Sequence, residues 1–487
     1  MKKKINVIGS GFSSLSVACH LAKSGFEVKI FEKNDSPGGR ARQLKEDGFT
    51  FDMGPTWYWM PDVFERFFNS FGKSVEEYYK LIRLDPGYMV YFSREDKYTI
   101  PASLTDLYSL FDSLEKGSSK KLEAFLNEAE YNYNLAIKDL VYRPGNSPLE
   151  LVTKETLLKL NLFLKSISQQ IKGHLKHPYL VQMLEFPVLF LGAKPENTPA
   201  FYNFMNYADL KLGTWYPEGG MFEVVKSMVE LAKELGVEFL YNSNVEEIVV
   251  ENNLAKGIVV NGKLHEADIT VSGADYHHTE KLLPPKFRGY SEKYWNNRTL
   301  APSALLFYLG IDTKVKNVEH HTLFFDADFK KHAVDIYDDP KWPEDPLFYA
   351  SFPSKTDKLA APEGKENAII LIPVAPGIED NENLREKYYD LVMDRLENLV
   401  GQEIKKYISY KKSYSINDFI GDYNSFKGNA YGLANTLMQT AFLRPKIKSK
   451  KVPNLYFTGQ LTVPGPGVPP SLISGEIVAK EIERKLI

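Results

Sequence analysis

Cysteine is all but absent. Cys19 stands alone among 487 residues, which excludes an internal disulfide and any zinc site built from several thiolates. A reducing compartment is compatible with this. One-sided charge is missing too: 60 Lys and Arg stand against 63 Asp and Glu, a net charge of −3. Without a cationic excess, nucleic acid has no electrostatic footprint to bind. No run qualifies as a membrane-spanning helix. Lys2 to Lys4 precede an apolar stretch that stops at Gly9, too short for the core of a signal peptide. The longest charge-free window, Asn454 to Gly475, carries Pro464, Pro466, Pro469 and Pro470, which a spanning helix does not tolerate. Internal repeats and low-complexity tracts are also absent. If such a chain meets a membrane, it lies on it.

What is present is a globular balance, 43% hydrophobic and 25% charged, long enough for two or three domains. Aromatics are the one excess, with 29 Tyr and 30 Phe. They serve either a large aromatic core or a greasy channel or membrane-facing surface for an apolar substrate.

The pattern along the chain implies discontinuous organisation. Lys4 to Ile8 reads as a strand, Phe12 to Ser24 as a helix ended by Gly25, and Glu27 to Phe31 as the next strand, a βαβ unit. From about Pro101 to Leu210 the pattern is helical, with apolar spacing from Leu151 to Lys176 and a greasy run from Phe186 to Leu191. From Trp215 the α/β pattern returns. Phe222 to Leu235 reads as a helix, and Glu238 to Asn242, Val245 to Glu251 and Lys256 to Val260 as strands, with turns at Asn252-Asn253 and Asn261-Gly262. A separate sheet is expected from Ala304 to Ile311 and Ala368 to Pro373, followed by a helix over Glu386 to Val400. The tail is a strand, a Pro/Gly-rich loop and a helix from about Ser471. The expected fold class is α/β (α+β overall). Residues 1–95, 211–283 and 415–487 are expected to form a Rossmann-like nucleotide domain, 96–210 an inserted helical subdomain suited to face a membrane, and 284–414 a substrate-binding domain.

Gly9-Ser10-Gly11-Phe12-Ser13-Ser14 joins the first strand to its helix. It is a Gly-x-Gly-x-x-Gly pattern with serine last. The first two glycines allow a tight turn and close approach of a pyrophosphate, and the helix start offers free N–H groups and a positive dipole end. Glu32 follows about twenty residues on, where a carboxylate accepts from a ribose 2′-hydroxyl, which favours FAD or NAD over NADP. The other reading is a glycine turn without a nucleotide. Pro37-Gly38-Gly39-Arg40 and Gly54-Pro55-Thr56 come next, an arginine for cofactor phosphates and backbone for a flat ring.

Taken together, Gly9 to Pro55 resembles the N-terminus of the FAD-dependent amine-oxidase-like superfamily, and within it the bacterial-type phytoene desaturases. Leu191-Gly192-Ala193-Lys194-Pro195 resembles a turn of that family's helical region. Thr214 to Met221 resembles its Trp-Tyr/Phe-Pro-x-Gly-Gly motif, and Asn454 to Gly459 with Pro464 to Pro469 its C-terminal flavin signature. The match departs at Val463 and Pro466, where the family has histidine and threonine, and at Gln460, where the wider superfamily often has an acid. The resemblance implies FAD, with Gly9 to Ser14, Gly39 and Arg40 at the pyrophosphate and Glu32 and Lys33 at the adenosine ribose. Val245 would meet the adenine, Gly54, Pro55 and Thr56 the flavin, and Gly459 and Gln460 the ribityl chain and phosphates. Val468 and Pro469 would turn the last helix's N–H groups toward the ring's electron-accepting end.

The implied activity is desaturation of a hydrophobic C40 carotenoid, phytoene stepwise to lycopene, on the cytoplasmic face of the cell membrane, with oxygen or a quinone as terminal acceptor. A later-stage carotenoid desaturase, a carotenoid isomerase, an amine or porphyrinogen oxidase and a non-enzymatic isoprenoid-binding escort protein are the alternatives. Asp209 is the candidate catalytic base, a carboxylate that in this family could face the flavin, or else an exposed loop acid. His174, His177 and His277-His278 are further candidates for a base, the last pair reading more readily as structural. No spacing argues for a metal. Lysines 154, 159, 165, 172 and 176 would suit an interfacial helical surface, or simply a solvated face.

Overall fold

The computed structural model of the chain describes residues 2–138, 140–153, 160–189 and 192–486. Period-two burial in the first strands sets its architecture. In β1 (Lys4–Ile8), Ile5 and Val7 face one layer and Ile8 the other; in β2 (Glu27–Phe31), Val28 and Ile30 oppose Phe31 in the same way. The two strands are parallel, so a crossover must join them, and α1 (Phe12–Lys23) is that crossover. Three distant segments complete a five-stranded parallel sheet. Ile269–Ser272 pairs with β1, Leu455–Phe457 pairs with Ile269–Ser272, and Glu238–Leu240 pairs with β2.

Helices α1, Met221–Glu234 and Val468–Leu486 cover the Ile5/Val7 face. A β-carbon at Gly475 would stand 2.5 Å from Ser16 Cβ, so the last helix crosses α1 in close contact. The opposite face carries an antiparallel meander, Val245–Glu251, Leu254–Val260 and Lys263–Glu266. Its turns take φ of 49° and 62° at Asn252-Asn253 and 51° and 69° at Asn261-Gly262, as two-residue hairpins of this hand require. The third meander strand is nearly all exposed, so no apolar alternation announced it.

A second sheet has seven strands, in the order Ile408–Tyr414, Ser303–Ile311, Glu366–Val374, Phe348–Ser351, His321–Phe324, Tyr88–Tyr91 and Lys97–Ile100. Only the His321–Phe324 and Tyr88–Tyr91 pair is parallel. Leu305, Phe307 and Leu309 face the helix Glu382–Val400, while Ala304, Leu306 and Tyr308 face the interior of the molecule.

Helices Leu104–Leu114, Ser118–Lys138, Ile167–His174, Pro178–Leu189 and Phe204–Leu210 pack into the core shared with the first sheet. The expected helical run from Leu151 to Lys176 is interrupted: Ser166 accepts from Gln169 N–H and its own N–H is capped by the Gln169 side chain, starting a new helix. Lys154, Lys159, Phe190 and Leu191 lie outside the described residues.

The Trp-Tyr-Pro-x-Gly-Gly motif has a structural reason. Asp52 accepts from Met221 N–H at 2.8 Å and Phe222 N–H at 3.3 Å, capping a helix from outside its own chain segment. Such a cap is worth roughly 1 kcal/mol. Gly220, at φ 97°, leaves room for it, since a β-carbon there would stand 2.6 Å from the Asp52 carboxylate.

Candidate active site: a cavity between the two sheets

One cavity of about 880 Å³ runs from the C-terminal ends of the parallel strands to the inner face of the seven-stranded sheet and on between the helices. Its polar end is assembled from Gly9 to Ser13, Glu32-Lys33, Gly39-Arg40, Gly54 to Thr56, Val245, Gly459-Gln460 and Val468-Pro469. Of the residues proposed from the sequence for the cofactor, Ser14 alone stands outside the lining. It lies one layer back, where a β-carbon on Gly273 would come within 2.0 Å of its Oγ. The helix–strand contact that a third motif glycine usually supplies is therefore made here by a glycine on the facing strand end.

The donors at this end are open. The N-cap Gly11 offers no side chain and the first turn of α1 holds no acid, so its N–H groups and dipole face the cavity. Glu32, 5% exposed, holds the turn: Oε2 accepts from Ser10 N–H at 2.8 Å and Ser10 Oγ at 2.6 Å, and Oε1 accepts from Asn34 N–H at 2.8 Å. Oε1 keeps a free lone pair for a hydroxyl donor. The Arg40 guanidinium donates to Ser425 Oγ at 3.2 Å and Asn429 O at 3.3 Å and stacks on Tyr423, yet its Nε is buried without a partner and it forms no ion pair among the described residues. Burial lowers its pKa from the ordinary arginine value. A desolvated cation with unused donors beside an open helix terminus fits a dinucleotide pyrophosphate.

At the other helix start the expectation needs correcting. Pro469 and Pro470 occupy the first turn of Val468–Leu486 and carry no N–H, and Ser471 N–H is bonded to Gly467 O. Val468 and the helix dipole are what remain there.

The rest of the cavity is aromatic and aliphatic: Trp57, Trp59, Phe186, Phe201, Phe204 and Phe325 line it. Where the two ends meet, a chain of hydrogen bonds leads off the wall. Thr56 Oγ1 lies 2.9 Å from Tyr349 OH, which lies 2.6 Å from His321 Nδ1. His321 is fully buried and stacks on Trp57 at 4.0 Å and 12°. Burial pushes its pKa well below the usual imidazole value, so it is neutral. Neither Tyr349 nor His321 carried a sequence signal, because both sit in short strands far from the glycine motifs.

Asp209 is neither a loop acid nor part of the cavity wall. It is 3% exposed, on the helix Phe204–Leu210, and accepts from Tyr88 OH at 2.9 Å. Thr214 stands on its other side and receives Trp59 Nε1–H at 2.8 Å. Its place is behind Trp57 and Trp59. Burial raises its pKa to about 7. The unfolded chain ionises this carboxyl near pH 4, so between about pH 4 and 7 the native state binds the extra proton and stability falls as pH rises. Asp209→Asn removes the titration and keeps the Tyr88 bond. Its melting temperature relative to the parent should therefore rise by ~2 °C or more from pH 5 to pH 8; a flat difference would show that Asp209 is ionised throughout.

Three of the other histidine candidates are also away from the site. His174 touches Phe125, and His177 packs on Tyr179. His277 pairs with Glu292 at 2.9 Å. His278 reaches the cavity lining at the adenosine end.

The profile of the family described as flavin containing amine oxidoreductase matches residues 12–483. A carotenoid 3,4-desaturase of Haloarcula japonica is 41% identical over 482 residues, 98% of this chain and 97% of that one. The chain belongs to the carotenoid desaturases of this flavin-containing family. This desaturase is also 33% identical to the 4,4′-diapophytoene desaturase (4,4′-diaponeurosporene-forming) of Staphylococcus aureus strain Newman, over 99% of both chains. An oxidoreductase of Methanosarcina mazei shares its fold at a TM-score of 0.66 and 18% identity, across 98% of this chain and 100% of the other. The desaturase's cofactor is FAD, as the resemblance implied.

Proposed function

We propose that this desaturase introduces a double bond into a linear carotenoid held in the aromatic arm of the cavity. The observation that carries the reading is the continuity of one cavity, a phosphate-competent polar end opening onto a long apolar arm at Thr56 and Tyr349. Bound at the polar end, FAD would supply the two-electron acceptor that removal of a hydride from an unactivated carbon demands. The chain's own part is placement and dryness. Gly9 to Ser13 and Arg40 hold the phosphates and Glu32 the ribose. Trp57, Trp59 and Phe186 exclude water and clamp the polyene. The hydrogen leaving as a proton needs an acceptor on the wall, and Tyr349 OH takes it while passing its own phenolic proton to the lone pair of neutral His321 Nδ1. Asp209 acts at one remove, fixing Trp59 through Thr214.

Of the readings the sequence left open, a later-stage desaturation is favoured over phytoene-to-lycopene, because the 41% identical relative is named a 3,4-desaturase. Expression in cells that accumulate phytoene or lycopene separates them. Red-shifted pigment beyond lycopene, only in the second host, is expected. Lycopene made from phytoene would restore the earlier step, and unchanged pigment in both hosts with flavin bound would sink both.

Delivery of the substrate points to a surface. No helix among the described residues is long and apolar enough to cross a membrane. The cavity lining reaches Ser147, Glu150, Phe163, Met438 and Leu443. Beside these stand Leu149 and Leu164, 75% and 77% exposed, and Met438 itself is 71% exposed. We take this rim as the bilayer contact, in preference to a lysine face, since Lys172 is already paired with Glu185 at 3.4 Å. Leu149→Glu with Leu164→Glu and Met438→Glu should cut co-sedimentation with anionic lipid vesicles at least fivefold and leave flavin content unchanged. Undiminished sedimentation would place the contact elsewhere.

A further inference from the structure

Arg444 is 2% exposed and lies one layer behind the flavin-signature loop. Its Nη1 donates to Gln460 O at 3.1 Å and its Nη2 to Leu433 O at 3.0 Å and to Asn435 Oδ1. Gln460 and Asn435 both line the cavity. A β-carbon on Gly465 would stand 3.1 Å from Arg444 Nη2, so the guanidinium abuts the loop's backbone. Its Nε is buried without a partner, and among the described residues it forms no ion pair. Tyr202 and Tyr294 are the electrostatic neighbours that bear on it, and burial pushes its pKa down to about 10.

A buried guanidinium without an acid is costly, and neutral carbonyls offset only part of that cost. The same loop delivers the helix start at Val468, where Pro469 and Pro470 have removed two of the N–H donors that would face an anion. Arg444 therefore adds a buried positive charge behind this end of the cavity, beside what is left of the helix dipole. In the FAD reading on which this rests, it is the end where negative charge gathers when the ring takes up two electrons. A charge buried in a poorly polarisable interior acts over longer range than one in water.

We propose that Arg444 sets the reduction potential of bound FAD by stabilising the anionic two-electron-reduced ring. A purely structural clamp on the Gln460 and Leu433 carbonyls is the competing role. The two make different demands: a clamp needs the planar fork, whereas the electrostatic role needs only the charge. The purified holoprotein is titrated with redox dyes as parent, Arg444→Lys and Arg444→Gln. Arg444→Gln should shift the reduction equilibrium at least tenfold toward oxidised flavin, about 30 mV for a two-electron couple, while Arg444→Lys stays within threefold of the parent. Equal shifts in both variants, or none in Arg444→Gln with flavin retained, would overturn the proposal. Should Arg444→Gln fail to fold or to retain flavin, the parent still tests the anionic reduced ring on which the proposal depends. An anionic reduced ring takes one proton per two electrons, so its potential falls by about 30 mV per pH unit between pH 6.5 and 8.5, and a slope near 59 mV refutes the anion. A parent without any flavin would defeat the FAD reading itself, an outcome distinct from either slope.

Discussion

Chain carrying Glu32→Ala and Arg40→Ala together should purify without flavin and leave carotenoid untouched. Glu32 does more than offer a lone pair to a ribose. Its two oxygens take three donors from Ser10 and Asn34, so it also holds the turn that aims α1 at the cavity. Arg40 brings a desolvated cation whose charge feels Asp275 but is not paired with it. Charge-assisted hydrogen bonds of this kind are worth about 1.5–3 kcal/mol each. Losing one from each residue weakens FAD binding by roughly 10²–10⁴-fold. The 450 nm to 280 nm absorbance ratio, followed by titration of added FAD into the stripped protein, reads this directly. Circular dichroism checks that the sheet persists. Full flavin occupancy in the double variant would refute the assignment of this end of the cavity.

Tyr349→Phe should lower the rate at which carotenoid reduces the flavin by about 10²-fold, the ordinary scale for loss of a positioned acid–base group. The ring and its packing against Trp57 at 5.7 Å survive the change, so flavin content and substrate binding should move less than threefold. Anaerobic stopped-flow, mixing the holoprotein with substrate in detergent, separates the step from reoxidation. His321 touches no substrate; it positions Tyr349 through the 2.6 Å bond. His321→Gln, which retains a polar partner, should therefore fall between the parent and Tyr349→Phe. A Tyr349→Phe protein reducing its flavin at the parent rate would leave proton loss to solvent or to the cofactor.

Several features could be read from the chain before any coordinates. Local signals were strong where backbone geometry and chain-local burial coincide. The first βαβ unit, the two Asn-rich hairpins and the helices at 221–234 and 382–400 are periodic over a whole element, and each appears within four residues of its expected bounds. Strands Tyr88–Tyr91, His321–Phe324 and Phe348–Ser351 did not announce themselves. They are four residues each and buried throughout, so alternation has nothing to show.

By itself, the sequence determined the polar half of the site. A glycine turn, an acid after the second strand and a following arginine are set by spacing along a single supersecondary unit, and the cavity gathers them at one end. Only the tertiary structure decided the reactive half. Tyr349 and His321 come from neighbouring strands of a different sheet and meet Thr56 across nearly three hundred residues of chain. Arg444 stands without an ion pair among the described residues because folding buries it against the Gln460 and Leu433 carbonyls and Asn435. Asp209 was visible as a residue but not as a role, since Tyr88 and Thr214 turn a candidate catalyst into a prop behind the wall. The physical reason is common to all three. Turn and cap chemistry is encoded within a few residues, whereas desolvation and side-chain partnership are properties of what folding brings alongside.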